Sequence, residues 1–347
     1  MVSSVVMPVR DTSHKRSSNA VRWRPNDRRG HVESFFLKAN APGEGRAIWL
    51  RFTLLVPRAL PETARAEVWA MAFDRRAGVP RAWKVTAPAG ATVLAPERLG
   101  FALLGCELEP GRTHGKIPGA TGDIAWDISW TGRGEELRLL PRALYKSRAF
   151  PRTKLVSPEP DARFSGSVRV ADQVWDLEEW PGMQGHNWGL GHATRYAWAH
   201  CNAFADHPGT VFEGTSAAVN FGSWTTPLLT LAVLRHAGRT FDLSGVRHWY
   251  NRSANIETGR WTFRAVGGTE RIDVSIESAP SDTAGLIYED PDGEQAICLN
   301  SKLARCRINL ASRTRRGFER QETLVCDDAA ALEILSRDGA HGVTVLL

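Results

Sequence analysis

Residues 47–56 read AIWLRFTLLV, and their side chains sort by parity into two rows. Ile48, Leu50, Phe52, Leu54 and Val56 make an unbroken apolar row, while Trp49, Arg51, Thr53 and Leu55 make a mixed one. Successive side chains of an extended chain point to opposite faces, so the run predicts a strand buried on one face. The same period recurs in residues 67–73, EVWAMAF, and in residues 124–130, IAWDISW, where Ile124, Trp126, Ile128 and Trp130 oppose Asp127 and Ser129. Strand signals resume at 165–170, 173–177, 196–204, 210–221, 228–236, 260–266 and 271–277, and helical periodicity is almost absent. Many short strands at this spacing predict an all-β protein built as antiparallel barrels or sandwiches. Gly267 and Gly268 supply the positive φ of a hairpin turn, and Ala237 with Gly238 a weaker one. Residues 140–160, with four prolines, fit a bent strand or a crossing connection, and residues 329–335, AAALEIL, fit a short helix or a last strand.

A length of 347 residues, at roughly 150 per domain, predicts two domains. With 42% hydrophobic and 24% charged residues the composition is that of a globular chain. The longest nearly uncharged apolar run, residues 227–234, falls far short of the ~20 residues of a membrane helix. The N-terminus lacks the apolar core of a secretory signal, and residues 1–19 are expected to be a disordered leader. Five scattered cysteines (Cys106, Cys201, Cys298, Cys306, Cys326) do not form a disulfide framework, which predicts a cytoplasmic protein. The net charge of +6 does not predict a nucleic-acid partner, because only seven of the 44 basic residues are lysine and the arginines form no block.

The densest chemistry lies in residues 180–204, WPGMQGHNWGLGHATRYAWAHCNAF, which hold three histidines, three tryptophans and two asparagines. In its second half Tyr196, Trp198, His200, Asn202 and Phe204 alternate with Ala197, Ala199, Cys201 and Ala203. The small row permits close packing against a neighbouring layer, leaving the large aromatic and polar row to wall a pocket. The competing reading is that these polar groups only satisfy a buried backbone. His186, His192, His200 and His207 are spaced by 6, 8 and 7 residues, which matches no standard ligand signature, so no metal is expected. GHNWGLG at 185–191 is not a dinucleotide turn, and Ser34 and Ser216 lack a nucleophile elbow. His248 and Tyr250 should share a strand face that excludes Trp249, and a structural role is expected for them. Cys298 and Cys306, eight apart, could face alike on a strand, but they are expected to be ordinary small core residues.

Residues 30–40, GHVESFFLKAN, together with residues 180–189, WPGMQGHNWG, resemble the superfamily of carotenoid 1,2-hydratases, tocopherol cyclases and AttH-like proteins, to which lipocalin-like pericyclases are similar. The resemblance spans roughly residues 23–347 and implies two tandem lipocalin-like β domains, expected at 20–185 and 186–347, with a cavity near their junction. It also implies hydration, cyclisation or isomerisation of a hydrophobic isoprenoid or polyene-like small molecule, without a cofactor. On it, Glu33 is the first candidate for a general acid and Glu213 the second. His186 would orient the acid or a water, and Asn187 and Trp188 complete the central motif. Asn187, Trp188, Tyr196, Trp198, His200, Asn202, Glu213 and Trp224 are the expected substrate-binding residues, with His200 and Asn202 as hydrogen-bond donors. An alkene-protonating acid must stay neutral until used, and burial among aromatic rings raises a carboxyl pKa. Ring faces such as those of Trp188, Trp198, Trp224 and Trp249 would stabilise the resulting cation by about 2 kcal/mol each when desolvated. The alternative from another class is a carrier of a lipid or pigment, whose acids would sit at the rim of the cavity.

Overall fold

The computed structural model describes residues 17–24, 28–147, 150–221, 224–245, 248–250, 253–337 and 341–347. Residues 1–16 of the expected leader lie outside them. Ser17, Ser18 and Asn19, the remainder of that leader, are ordered, with the Asn19 side chain hydrogen-bonded to Gln184 at 2.7 Å.

The first half of the chain forms β1 (His31–Ala41), β2 (Arg46–Val56), β3 (Arg65–Asp74), β4 (Arg81–Pro88), β5 (Val93–Leu94) and β6 (Phe101–Leu103). It continues with β7 (Cys106–Glu109), β8 (Arg112–Ile117), β9 (Ile124–Gly132), β10 (Leu137–Arg138), helix α1 (Arg142–Lys146), β11 (Thr153–Val170) and β12 (Gln173–Gly189). These strands make one antiparallel sheet in the order β4-β3-β2-β1-β12-β11-β9-β8-β7-β6-β5, with β10 on β11. The second half forms β13 (Arg195–Cys201), β14 (Val211–Ala218), β15 (Asn220–Phe221), β16 (Trp224–Thr225), β17 (Leu229–His236), β18 (Arg239–Asp242) and β19 (Asn255–Glu257). After these come β20 (Arg260–Gly267), β21 (Glu270–Glu277), β22 (Ala284–Glu289), β23 (Gln295–Thr314) and β24 (Gly317–Ser336). The second sheet runs β18-β17-β14-β13-β24-β23-β21-β20-β19 with β22 on β23, and β15 and β16 form a separate hairpin. The chain changes sheet between Gly189 and Arg195, a few residues beyond the expected division at 185/186.

Each sheet curls around its own core as a half-barrel. Phe35, Leu37, Ile48, Leu50, Phe52, Trp126, Ile128 and Phe164 fill the first, and the indole N–H of Trp83 on β4 donates to the carbonyl of Gly122 before β9, drawing the two ends of the curl together. Ala197, Ala199, Cys201, Phe212, Trp261 and Phe263 fill the second. The two convex faces then pack on each other. Phe36, Trp49, Trp69, Met71 and Met183 from the first sheet meet Trp198, Leu286, Tyr288, Cys298 and Leu335 from the second. Strand β2 is therefore buried on both faces, not one, because its mixed row lies against the other half of the molecule.

Residues 329–335 are strand, within β24, and the 140–160 stretch is a short helix followed by the start of β11. Both predicted hairpins form: Gly267 pairs with Glu270 across Gly268, and His236 pairs with Arg239 across Ala237 and Gly238, which both have positive φ. Cys298 and Cys306 do not face alike. Cys298 joins the interface and Cys306 the second core, because register shifts between Ser301 and Cys306 change the strand's parity.

Candidate functional site

A cavity of about 300 Å³ opens between the convex faces. Trp49 and Arg51 of β2, Tyr196 and Trp198 of β13, Thr215 and Ala217 of β14, Tyr288 of β22 and Glu333 of β24 contribute to its wall, each from the row that faces away from its own sheet's core. The expected pocket face of β13 is thus present, and the small row, Ala197, Ala199 and Cys201, packs into the second core as its size allows. Asn187 lines the cavity as well.

The two motif strands pair directly, Glu33 opposite Trp188 and Phe35 opposite His186. Their parity turns Glu33 and His186 to the inner side of the first sheet, away from the cavity-facing Asn187. Glu33 is 1% exposed and its carboxylate accepts from the backbone N–H groups of Arg22 (2.6 Å) and Trp23 (2.8 Å), from His31 Nε2 (2.8 Å) and from His186 Nε2 (2.8 Å). Burial alone would raise its pKa; the hydrogen bonds and charges of His186 and His31 overcome this and hold it at about 2. That is the opposite of the neutral acid expected from an aromatic surround, and Glu33 is not among the residues lining the cavity. His186 Nδ1 faces the carbonyl of Ser18, its ring stacks on Phe35 at 4.2 Å, and Arg22 lies over Trp188. These contacts fasten residues 17–23 across the end of the first core.

Glu213 behaves as Glu33 was expected to. It is fully buried on the cavity-facing row of β14, and burial raises its pKa to about 7 against hydrogen bonds from Ser157 Oγ (2.9 Å) and the Trp198 indole N–H (3.1 Å). Both donors reach Oε1, and Oε2 is buried without a partner. Glu213 lies next to Trp198 on the paired strand and is not itself among the residues lining the cavity.

His200 and Asn202 donate hydrogen bonds within the junction and not into the cavity. His200 Nε2 donates to the carbonyl of Pro160 (2.7 Å), and the Asn202 amide to Asp161 (2.9 Å) and the carbonyl of Gly182 (2.8 Å). Burial, then the charge of Lys38, pushes the His200 pKa well down, so the ring is neutral. Trp188 stays on the His186 side, and Trp224 is 59% exposed on the β15–β16 hairpin; neither lines the cavity. The four histidines considered for a metal do not converge. His207 instead meets His236 and Glu322, whose ligand-type atoms lie within 4.8 Å of one another at the far end of the second sheet.

Two more residues belong to the wall, one of them, Trp249, among the ring faces expected from the sequence. Trp249, not His248 or Tyr250, faces the cavity, its indole N–H bonded to the carbonyl of Ser244. His192 lines it too, and its Nδ1–H donates to Asp290 Oδ1 at 2.6 Å, an oxygen that also accepts the His192 backbone N–H. Burial opposes ionisation of Asp290, but His192 and Arg337 (3.0 Å) lower its pKa on balance. The carboxylate thereby orients the imidazole, with Nδ1 held to Asp290 and Nε2 turned away from it. Tyr288 and Tyr196 stand beside the ring, at centroid distances of 5.3 and 6.5 Å. His192 and Asp290 stand 98 positions apart in the chain, which leaves no local pattern that would announce the pair.

Among the described residues no helix is long and apolar enough to cross a membrane. A putative AttH from Nitrosomonas europaea superposes with a TM-score of 0.56 at 12% identity over 95% of this chain and 99% of that one. CghA does so with a TM-score of 0.55 at 13% identity over 90% of each chain, and kievitone hydratase from Nectria haematococca with 0.50 at 10% identity over 88% and 89%. At these identities the likeness is one of fold. An uncharacterized Mycobacterium tuberculosis protein is 29% identical over 226 residues, 61% of this chain and 62% of its own length. The family model described as tocopherol cyclase-like matches residues 160–334, from the β11 segment that pairs with the motif strand through nearly all of β24. That match takes in just over half of the sequence, including the central motif and the β13, β14, β22 and β24 contributions to the cavity wall, and on it the chain belongs to the tocopherol cyclase-like family.

Proposed function

We propose that the protein is a hydratase- or cyclase-type enzyme that transfers protons to and from a hydrophobic small molecule held in the junction cavity. The observation that carries this reading is Glu213: a buried carboxyl with a pKa raised to about 7 and one unpartnered oxygen, the other bonded by Trp198 of the cavity wall. A neutral carboxyl of that strength is matched to donating a proton near pH 7, and general acid–base groups of this kind typically contribute about 10²- to 10⁴-fold. In hydration, Glu213 would protonate the alkene once Trp198 shifts to uncover it. The ring faces of Trp198, Trp49 and Trp249 would shelter the cation. Water would add to that cation, and its proton would leave to His192 Nε2, with Asp290 stabilising the imidazolium. In cyclisation an internal hydroxyl or alkene would take the place of water. Asn187, Tyr196 and Trp198 would position the substrate. Glu33 and His186, in this reading, hold the first domain closed and are outside the chemistry. Among the fold neighbours, kievitone hydratase is named for a hydration and CghA has been solved with Sch210972, which supports a small-molecule role for this cavity.

The test begins with the purified protein from its native host or a close relative, extracted with organic solvent and analysed by mass spectrometry for a co-purifying small molecule. Incubation of that molecule with Glu213→Gln and with His192→Asn should give turnover lower by about 10²-fold or more in each, with binding retained. A bound molecule that persists unchanged on the wild type would establish the carrier instead, and full activity in both variants would remove the assigned roles.

A further inference from the structure

Arg51 is 5% exposed and lines the cavity. Its Nε donates to Ser34 Oγ at 3.0 Å, and its guanidinium lies 4.1 Å from the ring centroid of Tyr288 and 5.7 Å from that of Trp69. Among the described residues no carboxylate is salt-bridged to it, and its two outer nitrogens carry no hydrogen bond. Two residues earlier on the same row of β2, the indole N–H of Trp49 is buried without an acceptor. The acids around it are engaged elsewhere: Glu333 by Lys302 at 2.9 Å and the amide of Asn300 at 3.0 Å, Glu67 by the Trp69 indole at 2.9 Å and Arg65 at 3.1 Å, and Glu289 by Arg65 at 2.8 Å. Tyr196 and Tyr288 stay neutral, because burial raises both hydroxyls well above their ordinary range. Arg51 therefore has no ion-pair partner among the described residues, and beside it stands a second donor, the Trp49 N–H, with nothing to accept from it. A buried charge without a counter-charge is costly, and the cost is relieved when an anion enters.

We propose that Arg51, with the Trp49 N–H beside it, binds the carboxylate of the molecule that occupies the cavity, so that the ligand is an amphiphile with a carboxylate head and a hydrophobic body. The planar fork of a guanidinium matches the two oxygens of a carboxylate, whereas a lysine ammonium would serve only as a point charge. Stacking on Tyr288 and the bond to Ser34 hold the fork in place, so little order is lost on binding. The aromatic remainder of the wall takes the body of the ligand towards Trp198 and Glu213.

The inference rests on the junction cavity being the ligand site, as the proposed function also does, but it is read by equilibrium binding and needs no turnover. Decanoate and decanol, which share a chain and differ in the head, are titrated against tryptophan fluorescence at pH 7 and low salt. The wild type should bind decanoate about 10- to 100-fold more tightly than decanol, as charge-assisted hydrogen bonds provide. Arg51→Met, which keeps an apolar stem, should bind the two within about twofold of each other while its decanol affinity is unchanged. Arg51→Lys should retain only part of the preference. Equal binding of the two probes by the wild type, or failure to bind either, overturns the inference without recourse to any variant, as does a preference that survives in Arg51→Met. Selective decanoate binding in a protein that converts no substrate would leave the inference standing and remove the enzymatic reading. Conversion of an uncharged substrate with no decanoate preference would do the reverse.

Discussion

Two buried glutamates, one on the inner side of the first sheet and one at the junction, are driven to opposite protonation states, and what decides between them is that Glu33 meets two imidazoles and Glu213 none. Glu33 accepts four hydrogen bonds, two of them from backbone N–H groups, whereas Glu213 accepts two on a single oxygen. The folded-state pKa of Glu33, about 2, lies below its ordinary 4.5, so its contribution to stability is present above pH 4.5 and is lost as pH falls towards 2. Glu33→Gln should cost about 3 kcal/mol at pH 7, a deficit that shrinks to nothing at the acid end of a denaturant-midpoint series. For Glu213 the sign reverses. Its folded pKa of about 7 lies above 4.5, so the wild type loses about 3 kcal/mol of stability as pH rises through that window, and Glu213→Gln should not show the loss. A wild type whose stability is flat between pH 5 and 7 would contradict this. The meeting of Glu33 with His186 was legible in the two motifs. Its ionisation was not, because burial among apolar neighbours argues for a neutral carboxyl, and only the folded geometry shows both His186 and His31 donating to it.

At the scale of the strand, alternation was read correctly almost everywhere, and its failures have a common cause. Parity carries a side chain to the right face only while the ladder is regular, and β23 breaks step between Ser301 and Cys306, sending Cys298 and Cys306 to opposite faces. In β2 the pattern was correct and the inference of one wet face was not, since an amphipathic row with Trp49 in it can be covered by a second sheet as well as by water. Close approach of strands adds a constraint that periodicity cannot show. A side chain at Gly182 of β12 would place its Cβ 2.0 Å from the carbonyl oxygen of Lys38 on β1 and 2.6 Å from the Phe164 ring. Gly182→Ala should therefore destabilise the protein by roughly 3 kcal/mol, measured by chemical denaturation, since overpacking against fixed backbone has no flexible neighbour to relax.

Across the whole molecule, the two halves complete each other. The outward row of the second half, with Tyr196, Trp198, Leu231, Leu286, Tyr288 and Leu335, is covered by Phe36, Trp49, Trp69, Leu137 and Leu139 of the first. Residues 190–347 expressed alone should expose that row. They should bind a hydrophobic dye and lack the near-ultraviolet circular dichroism that packed tryptophans give; a monomeric, dye-free fragment with native-like signal would show that the second sheet stands by itself. That two sheets exist was legible from length and strand count. That they meet by their convex faces was not, because the partners Trp49 and Leu286 are separated by most of the chain and belong to strands that each look complete in isolation.

The placement of the cavity between those convex faces, outside both filled cores, gives the chain two nearly separable texts written on alternate letters. Ile48, Leu50 and Phe52 spell the core of the first sheet, while Trp49 and Arg51, interleaved with them, spell the wall of the cavity. Drift in one text need not garble the other. Chains with only 10–13% of their residues in common with this one keep its shape, so most letters of the first text can be respelled without loss of the fold.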